Sequence, residues 1–532
     1  TQQNIVNQSL DIRIHGSCST NAPYKSLRFY SSNEFDKYAF FPNYPSLLSD
    51  RILLRNSGND YNQTMFKDAF IHNWLGYLNF SSQKSRPSIM FLNGEYWGIH
   101  NIRERIDGYY LNALYGVDQN KLDLRKIVWN EPAEIEEGDG VHYTNMYNFI
   151  TTNDMAITAN YDQAKQMLDP ASLIDYQLAE IFIGNIDWPQ NNVRLWRTRN
   201  PFDPSASPAK DGRWRWIFYD TDRALGEVVN AQNGDLETLT NKIENIIFKK
   251  LLDNQEFRTN FINRYADLLN SSLKSDHSLP IFNSFKNTYS PEVSYHISRW
   301  KNLPNFAAWE AQCAIVSTYL TIRPNEIPIQ LKNYFNLSGE YNLTVSTHDT
   351  LKGYVRVNTL SIISSSKGIP NNYQSWTGSY FDYLPIKITA VAKSGFKFSH
   401  WLHNGTHLED STITITTNSD LTYQAFFEPT ILSNNPIPSS AAEIAKCGYK
   451  LTEWDASQSA GTSPNYSKFV YLDTENPLIT AQIEGFTSGV YNFSSKTRIN
   501  GLGANGFSFI NTSDANIGYP GNKLGGFLLA IN

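Results

Sequence analysis

Asp187 and Asn192 stand five residues apart in Gly184-Asn-Ile-Asp-Trp-Pro-Gln-Asn-Asn192, directly ahead of the apolar run Val193-Arg-Leu-Trp196. A second acidic pair, Asp220 and Asp222, closes the aromatic-apolar run Trp214-Arg-Trp-Ile-Phe-Tyr219. Phosphoryl transfer needs a carboxylate near the acceptor hydroxyl and oxygen ligands that hold magnesium on a triphosphate. Asp, four spacers, Asn and then a later Asp ahead of a small-residue turn is the order in which a protein-kinase catalytic loop and its metal-holding strand end supply those groups. An arbitrary loop Asp more often makes an Asx-turn or a helix cap. Here the offset, the apolar flanks and the later acid pair agree, which favours chemistry over capping. Asp220 and Asp222 alternate, so on a continuing strand both leave one face. Two carboxylates that close repel each other, and a divalent cation removes that cost.

Two further groups join this constellation. Lys25 follows the loop Gly16-Ser17-Cys-Ser-Thr and opens an alternating run, where an ammonium could neutralise phosphate beneath backbone N–H groups. Glu104, in Asn101-Ile-Arg-Glu-Arg-Ile-Asp107, either contacts the adenine or ribose of a nucleotide or pairs with Arg103 or Arg105. Which of Asp187, Asp220 and Asp222 acts as base stays open at this point.

The elements that must position these groups read as α+β. Residues 10–15 and 25–30 alternate as strands, and residues 64–78 repeat Phe66, Ala69, Phe70, Trp74 and Leu78 at helical spacing. Residues 88–100 read as a hairpin turning at Asn93-Gly94. Residues 140–336 are mostly helical, interrupted by a solvated Pro-, Ser- and Asp-rich insert at 199–212. Residues 338–429 lose helical periodicity and alternate, 431–440 read as a linker, and 441–532 are β-rich with Gly and Asn turns, as in an incomplete sandwich.

At 532 residues the chain is too long for one core, and about three or four domains are expected. A net charge of −6 excludes a general affinity for nucleic acid or anionic membrane. Aromatic content of 14% against 18% charged residues suits a secreted, β-rich bacterial protein better than a cytosolic enzyme. The three cysteines, Cys18, Cys313 and Cys447, are too far apart and too few for a disulfide framework or a CxxC metal site, and are expected as buried thiols. The histidines lack ligand spacing, so no zinc site is expected. No apolar stretch reaches the length of a membrane span. The polar start and the apolar stop suggest a processed or truncated form whose export signals lie outside it.

The chain resembles the spore-coat protein H (CotH) kinase-like family over about residues 10–336. The resemblance rests on Ile12-Arg-Ile-His-Gly16-Ser, Pro23-Tyr-Lys25-Ser, Phe91-Leu-Asn-Gly94-Glu-Tyr-Trp-Gly98, Arg103-Glu104-Arg-Ile-Asp107, Asn185-Ile-Asp187-Trp with Asn192, Tyr219-Asp220-Thr-Asp222-Arg-Ala-Leu-Gly226 and Thr321-Ile-Arg-Pro324. It implies an atypical, two-lobed protein-kinase-like domain over residues 1–336, ATP and Mg²⁺ as cofactors, and transfer to Ser or Thr of a secreted or surface protein. By the same resemblance Gly16, Ser17 and Lys25 would contact phosphate and Glu104 the nucleotide. Asp187 and Asp220 would be catalytic, with Asn192, Asp220 and Asp222 holding the metal. The phosphate loop departs from ordinary kinases in lacking repeated glycines, and the helix at 64–78 offers Asp68 rather than Glu to pair with Lys25. Residues 337–430 resemble a bacterial Listeria–Bacteroides-type surface repeat through Gly353-Tyr-Val-Arg-Val, Gly395-Phe-Lys-Phe-Ser-His-Trp401 and Tyr423-Gln-Ala-Phe-Phe427. That implies a secreted or cell-surface protein. Two rival readings are a surface adhesin that keeps the fold without catalysis, and a transferase that moves another group from a nucleotide.

Overall fold

The computed structural model describes residues 6–16, 18–32, 35, 38–41, 50–128, 133–226, 245–430, 494–499 and 502–508. Contacts divide the chain into two units, one of residues 1–392 and 398–427, the other of 393–397 and 428–532. In the second, the described residues past Thr430 are a hairpin, Ser494–Ile499 against Leu502–Ser508. The expected linker at 431–440, Cys447 and the rest of 441–532 lie outside the described residues.

The first unit opens with a five-stranded antiparallel sheet. Its strands are β1 (Asp11–His15), β2 (Ser26–Tyr30), β3 (Arg51–Arg55), β5 (Ser85–Leu92) and β6 (Glu95–Glu104), in the order β1-β2-β3-β6-β5. Asn93 and Gly94, both at positive φ (51° and 81°), turn β5 into β6 as their sequence demands. Helix α1 (Lys67–Leu75) follows β3 and is shorter than the periodicity over 64–78 suggests. Its N-terminal end is fixed by Asp60, whose carboxylate accepts from the Thr64 and Lys67 N–H groups at 2.9 Å each. Phe70 and Trp74 of α1 stack at 5.5 Å and pack toward Phe282 and Phe182. Burying side chains of this size contributes about 2–3 kcal/mol each.

A second sheet runs β4-β10-β9-β7-β8, with β4 (Ser81–Ser82), β7 (Leu122–Ile127), β8 (Glu134–Glu137), β9 (Val193–Thr198) and β10 (Arg215–Phe218). Between and after these strands come helices α2 (Gly108–Tyr115), α3 (Val141–Thr152), α4 (Thr158–Met167), α5 (Pro170–Ile183), α6 (Ile246–Leu251), α7 (Gln255–Leu269), α8 (Ser275–Trp300) and α9 (Phe306–Phe335). The insert at 199–212 lies between β9 and β10 and carries one short 3-10 turn, Pro208–Lys210.

Helix α9 stops at Asn336, in the left-handed region at φ 53°, and every regular element from Glu340 to Pro429 is a strand. Nine strands form two sheets there, with alternate side chains such as Tyr341, Leu343 and Val345 turned inward and Trp401 fully buried. Residues 340–392 and 398–427 belong to the same compact unit as α7. Asn270 donates to the Ser379 carbonyl at 2.6 Å, and Asp267 accepts from Thr359 and Tyr380. The expected α+β character is therefore present. Cys313 is a buried free thiol, as a cysteine without a partner usually is.

Candidate active site

Helix α5 delivers the first half of the site. Asp169 caps its start, accepting from the Ala171 N–H at 3.0 Å. At its end, the Ile181 carbonyl accepts from the Gly184 N–H at 3.2 Å, while the Phe182 carbonyl falls in the last turn, where the helix supplies no donor. Arg323 donates to both, at 2.7 and 3.0 Å, and the Tyr319 hydroxyl donates to Phe182 at 2.8 Å. Gly184 then turns the chain in the left-handed region at φ 62°, where a Cβ would lie 2.6 Å from the Tyr319 hydroxyl oxygen. Only glycine fits, and the loop leaves the helix in one fixed direction.

In that loop Asn185 donates to Glu180 at 2.9 Å and accepts from the Asp187 N–H at 3.2 Å. Asn192, itself left-handed at φ 59°, donates through its amide to Asp187 at 3.2 Å. The other Asp187 oxygen accepts from Arg223 at 3.3 Å. Asp187 and Asn192 are thus in direct contact.

Strand β10 supplies the second half but ends at Phe218, two residues short of the acids. Alternation along a strand therefore does not align Asp220 and Asp222. Asp220 takes a left-handed conformation, φ 59°, and the resulting turn brings both carboxylates to one guanidinium. Arg55 Nη2, at the end of β3, donates to Asp220 and, at 2.7 Å, to Asp222. Asn59 closes over Asp222 with its backbone N–H (3.0 Å) and its side-chain amide (3.1 Å). The turn is tied to the loop of Asp187 by two backbone bonds, Ile186 N–H to Arg223 carbonyl and Leu225 N–H to Ile183 carbonyl, at 3.2 and 2.8 Å. All four oxygen-bearing residues of the expected constellation therefore lie on two stretches bonded to each other.

Asp68 of α1 braces the turn. It accepts from the Thr221 N–H and hydroxyl at 2.9 and 3.0 Å, from Arg55 at 3.4 Å, and from Arg103. Burial raises the pKa of a carboxyl, but the guanidinium groups of Arg103 and Arg55 overrule it and hold Asp68 well below the usual carboxylate range. Asp68 does not pair with Lys25, because β3 and β6 bring two arginines to it first. Asp222 moves the other way: burial and the neighbouring Asp220 charge push it up. Glu180, fully buried, is pushed up to about 8, chiefly by burial.

The phosphate-side expectations fall differently. Lys25 donates to the Thr20 and Ala22 carbonyls at 2.6 and 2.7 Å, so two of its three N–H donors close its own loop. Gly16, at φ 115°, leaves room for the Ser19 side chain. Ser17 lies outside the described residues. Glu104 accepts from the Lys84 N–H at 2.7 Å, and burial pushes its carboxyl up to about 7. None of these contacts reaches Asp187, Asn192, Asp220 or Asp222.

Sequence reasoning missed the arginines. In the antiparallel register Arg13 faces Arg28, Arg28 faces Leu53 and Leu53 faces Arg103, so these side chains share one face of the first sheet. Arg55 faces Asn101 on the same side. Arg28 donates to His15 Nδ1 at 2.7 Å, which makes His15 an acceptor there. Burial, reinforced by the charges of Arg28, Arg55, Arg194 and Arg105, pushes His15 down to about 3. A neutral imidazole among four guanidinium groups marks a region that favours anions. The one local signal was Arg51-Ile-Leu-Leu-Arg55, an apolar run with an arginine at each end.

Among the described residues, no group of three or more His, Cys, Asp or Glu stands ready to hold a metal. The donor set of Asp220, Asp222 and the Asn192 amide is all oxygen, which suits magnesium, an ion that commonly takes one or two carboxylates and completes its shell with phosphate and water. The residues fit such an ion once Arg55 releases them. A cavity of about 40 Å³ opens beside Trp188 and Trp216, far too small for a nucleotide. Asp220, by contrast, keeps 36% of its side chain exposed. No helix among the described residues is long and apolar enough to cross a membrane. A family model described as CotH kinase protein matches residues 12–327, and no curated protein matches the chain.

Proposed function

The chain belongs to the CotH kinase protein family, its match spanning more than half of the sequence, and from that footing we propose that it is an ATP-dependent protein kinase. In this reading it transfers the γ-phosphate to Ser or Thr hydroxyls of a secreted or surface protein. The first sheet with α1 acts as one lobe, and the helices around α5 with the second sheet act as the other. The strands at 340–429 act as a surface repeat module, and the protein is secreted or displayed on a bacterial surface.

The observation that carries this reading is the contact between two bonded stretches, one bearing Asp187 and Asn192, the other Asp220 and Asp222. Asp187, oriented by the Asn185 amide and by Asn192, takes the proton from the acceptor hydroxyl. The hydroxyl oxygen bonds to the γ-phosphorus, the bond to the β–γ bridging oxygen breaks, and ADP leaves with that electron pair. Asn192, Asp220 and Asp222 would hold magnesium, which when bound neutralises charge on the phosphate oxygens. Asp68 keeps the Asp220–Asp222 turn in place through Thr221.

The test is incubation with magnesium and ATP labelled at the γ or the α phosphate, beside Asp220→Ala. Label from the γ position alone, lost in the variant, supports the kinase. Label from the α position means nucleotidyl transfer, and no nucleotide binding at all means an adhesin. Asp187→Asn is expected to lower kcat by about 10²–10⁴-fold with the fold intact.

A further inference from the structure

Arg55 ends β3 with its side chain only 12% exposed, and its guanidinium serves three carboxylates. Nη1 reaches Asp68 at 3.4 Å, while Nη2 alone bridges Asp220 and Asp222. These last two are the carboxylates assigned above to magnesium. The guanidinium therefore fills the position a divalent ion would take, and the two cations cannot share it. Asp68, Asp220 and Asp222 bring three formal negative charges against the two positive charges of Arg55 and Arg103. Adding a divalent ion without moving Arg55 would crowd like charges in a largely buried site.

Arg55 has somewhere to go. Its strand face is shared with Arg28, and that face is the anion-favouring region described above. A planar guanidinium matches the oxygens of a phosphate as well as it matches a carboxylate. Asp68 remains bonded to Arg103 and to Thr221, so the turn keeps its brace while Arg55 moves.

We propose that Arg55 is a positioning residue that holds the metal-binding carboxylates in the nucleotide-free protein and exchanges places with the ion when metal and nucleotide arrive together, its guanidinium passing to the phosphate oxygens. This rests on the kinase reading of the same site. Its consequence is coupling: the bare ion is excluded, the nucleotide supplies the anion that draws Arg55 away, and each ligand strengthens the other by the same factor.

The experiment measures free Mn²⁺ by electron paramagnetic resonance with the full chain, first alone and then with a non-hydrolysable ATP analogue. Arg55→Gln is expected to bind bare Mn²⁺ at least tenfold more tightly than the wild type and the Mn²⁺–analogue pair at least tenfold more weakly. Arg55→Lys, a milder change should the first variant fold poorly, is expected to shift both affinities in the same directions by less. Asn in place of both Asp220 and Asp222 on the Arg55→Gln background is expected to erase the gain for bare ion. A folded Arg55→Gln that binds bare Mn²⁺ no better than the wild type overturns the exchange, as does one in which both affinities move together, since a merely structural arginine or simple loss of charge would do that. Neither readout needs phosphate transfer. Opposite shifts without any γ-label would keep the exchange and remove the kinase, and γ-label with unshifted Mn²⁺ affinities would do the reverse.

Discussion

Asp68 on α1 and Asp267 on α7 are both helix aspartates almost wholly withdrawn from water, and each accepts at least four hydrogen bonds. Asp68 takes its bonds from Arg103, Arg55 and Thr221. Asp267 takes its own from the Thr359 N–H and hydroxyl (2.9 and 2.5 Å), the Asn358 amide (3.2 Å) and the Tyr380 hydroxyl (3.0 Å). One set includes two guanidinium groups and the other is entirely neutral. Burial raises both carboxyls, yet the arginines drive Asp68 well below the usual range while Asp267 is pushed up to about 6. Satisfying the lone pairs of a buried carboxylate is thus not the same as compensating its charge. The candidate active site is built from charge balanced against charge, whereas Asp267, at the seam between α7 and the strands at 340–429, takes its own hydrogen bonds from neutral donors. Arg264 also donates across that seam, to the Thr359 hydroxyl at 2.8 Å, but its carboxylate partner is Asp175, at 2.7 Å, and its charge lowers Asp267 less than burial raises it.

The sharpest way to break this contrast is Asp68→Asn. It removes one of the charges that balance Arg103 and Arg55, and breaking a buried pair from one side costs about 3–5 kcal/mol. Urea unfolding should show that loss as a lower midpoint at unchanged slope. A loss below about 1 kcal/mol, the range of exposed pairs, would show that the arginines find other partners. Asp267→Asn should cost less, about 1–3 kcal/mol at pH 4, because an acceptor oxygen remains for Thr359.

The same two variants should separate by pH. A carboxyl lowered in the fold contributes stability above its unfolded pKa of 3.8 and loses it as pH falls through the folded value. A carboxyl raised in the fold contributes most at low pH, and that share is lost as pH rises from 3.8 to about 6. Subtracting each variant from the wild type should therefore give stability differences that rise with pH for Asp68 and fall with pH for Asp267. Two differences of the same sign would mean that the Arg264 charge outweighs burial at Asp267.

How much of this was legible in the sequence follows from the distance along the chain. Asp187 meets Asn192 across five residues, and Asn93-Gly94 turns β5 into β6 across two, so spacing and turn chemistry announce them. The alternation in Glu340–Thr347 likewise reports which side chains face inward. Arg55 meets Asp68 thirteen residues away and Asp220 and Asp222 at separations of 165 and 167, and no local period encodes such a meeting. Loop-then-lysine is likewise a short pattern, and it is what singles out Lys25. In the structure Lys25 donates to the nearby carbonyls of Thr20 and Ala22. Convergent charge belongs to the topology, and the register of β3 against β6 is what assembles it.

Glu180 sharpens the comparison from a third position, with the smallest effect. It is as buried as Asp68, it lies near the candidate active site rather than at the seam, and among the described residues it has no cation partner, taking the Asn185 amide at 2.9 Å. If location in the molecule set the protonation state, Glu180 should behave like Asp68. If partner charge sets it, Glu180 should behave like Asp267, and burial does push it up to about 8. The raised value means that the carboxyl stays protonated in the fold at neutral pH, and its favourable share of stability is lost as pH climbs from 4.5 to about 8. Glu180→Gln preserves the oxygen that accepts from Asn185 and cannot ionise. The variant should match the wild type to within about 1 kcal/mol at pH 4. From pH 4.5 it should become the more stable of the two, by about 1.4 kcal/mol for each pH unit, levelling off above about pH 8. Parallel unfolding midpoints across pH 6–9 would show that Glu180 is ionised throughout, and would place an unrecognised positive charge beside the loop that carries Asp187.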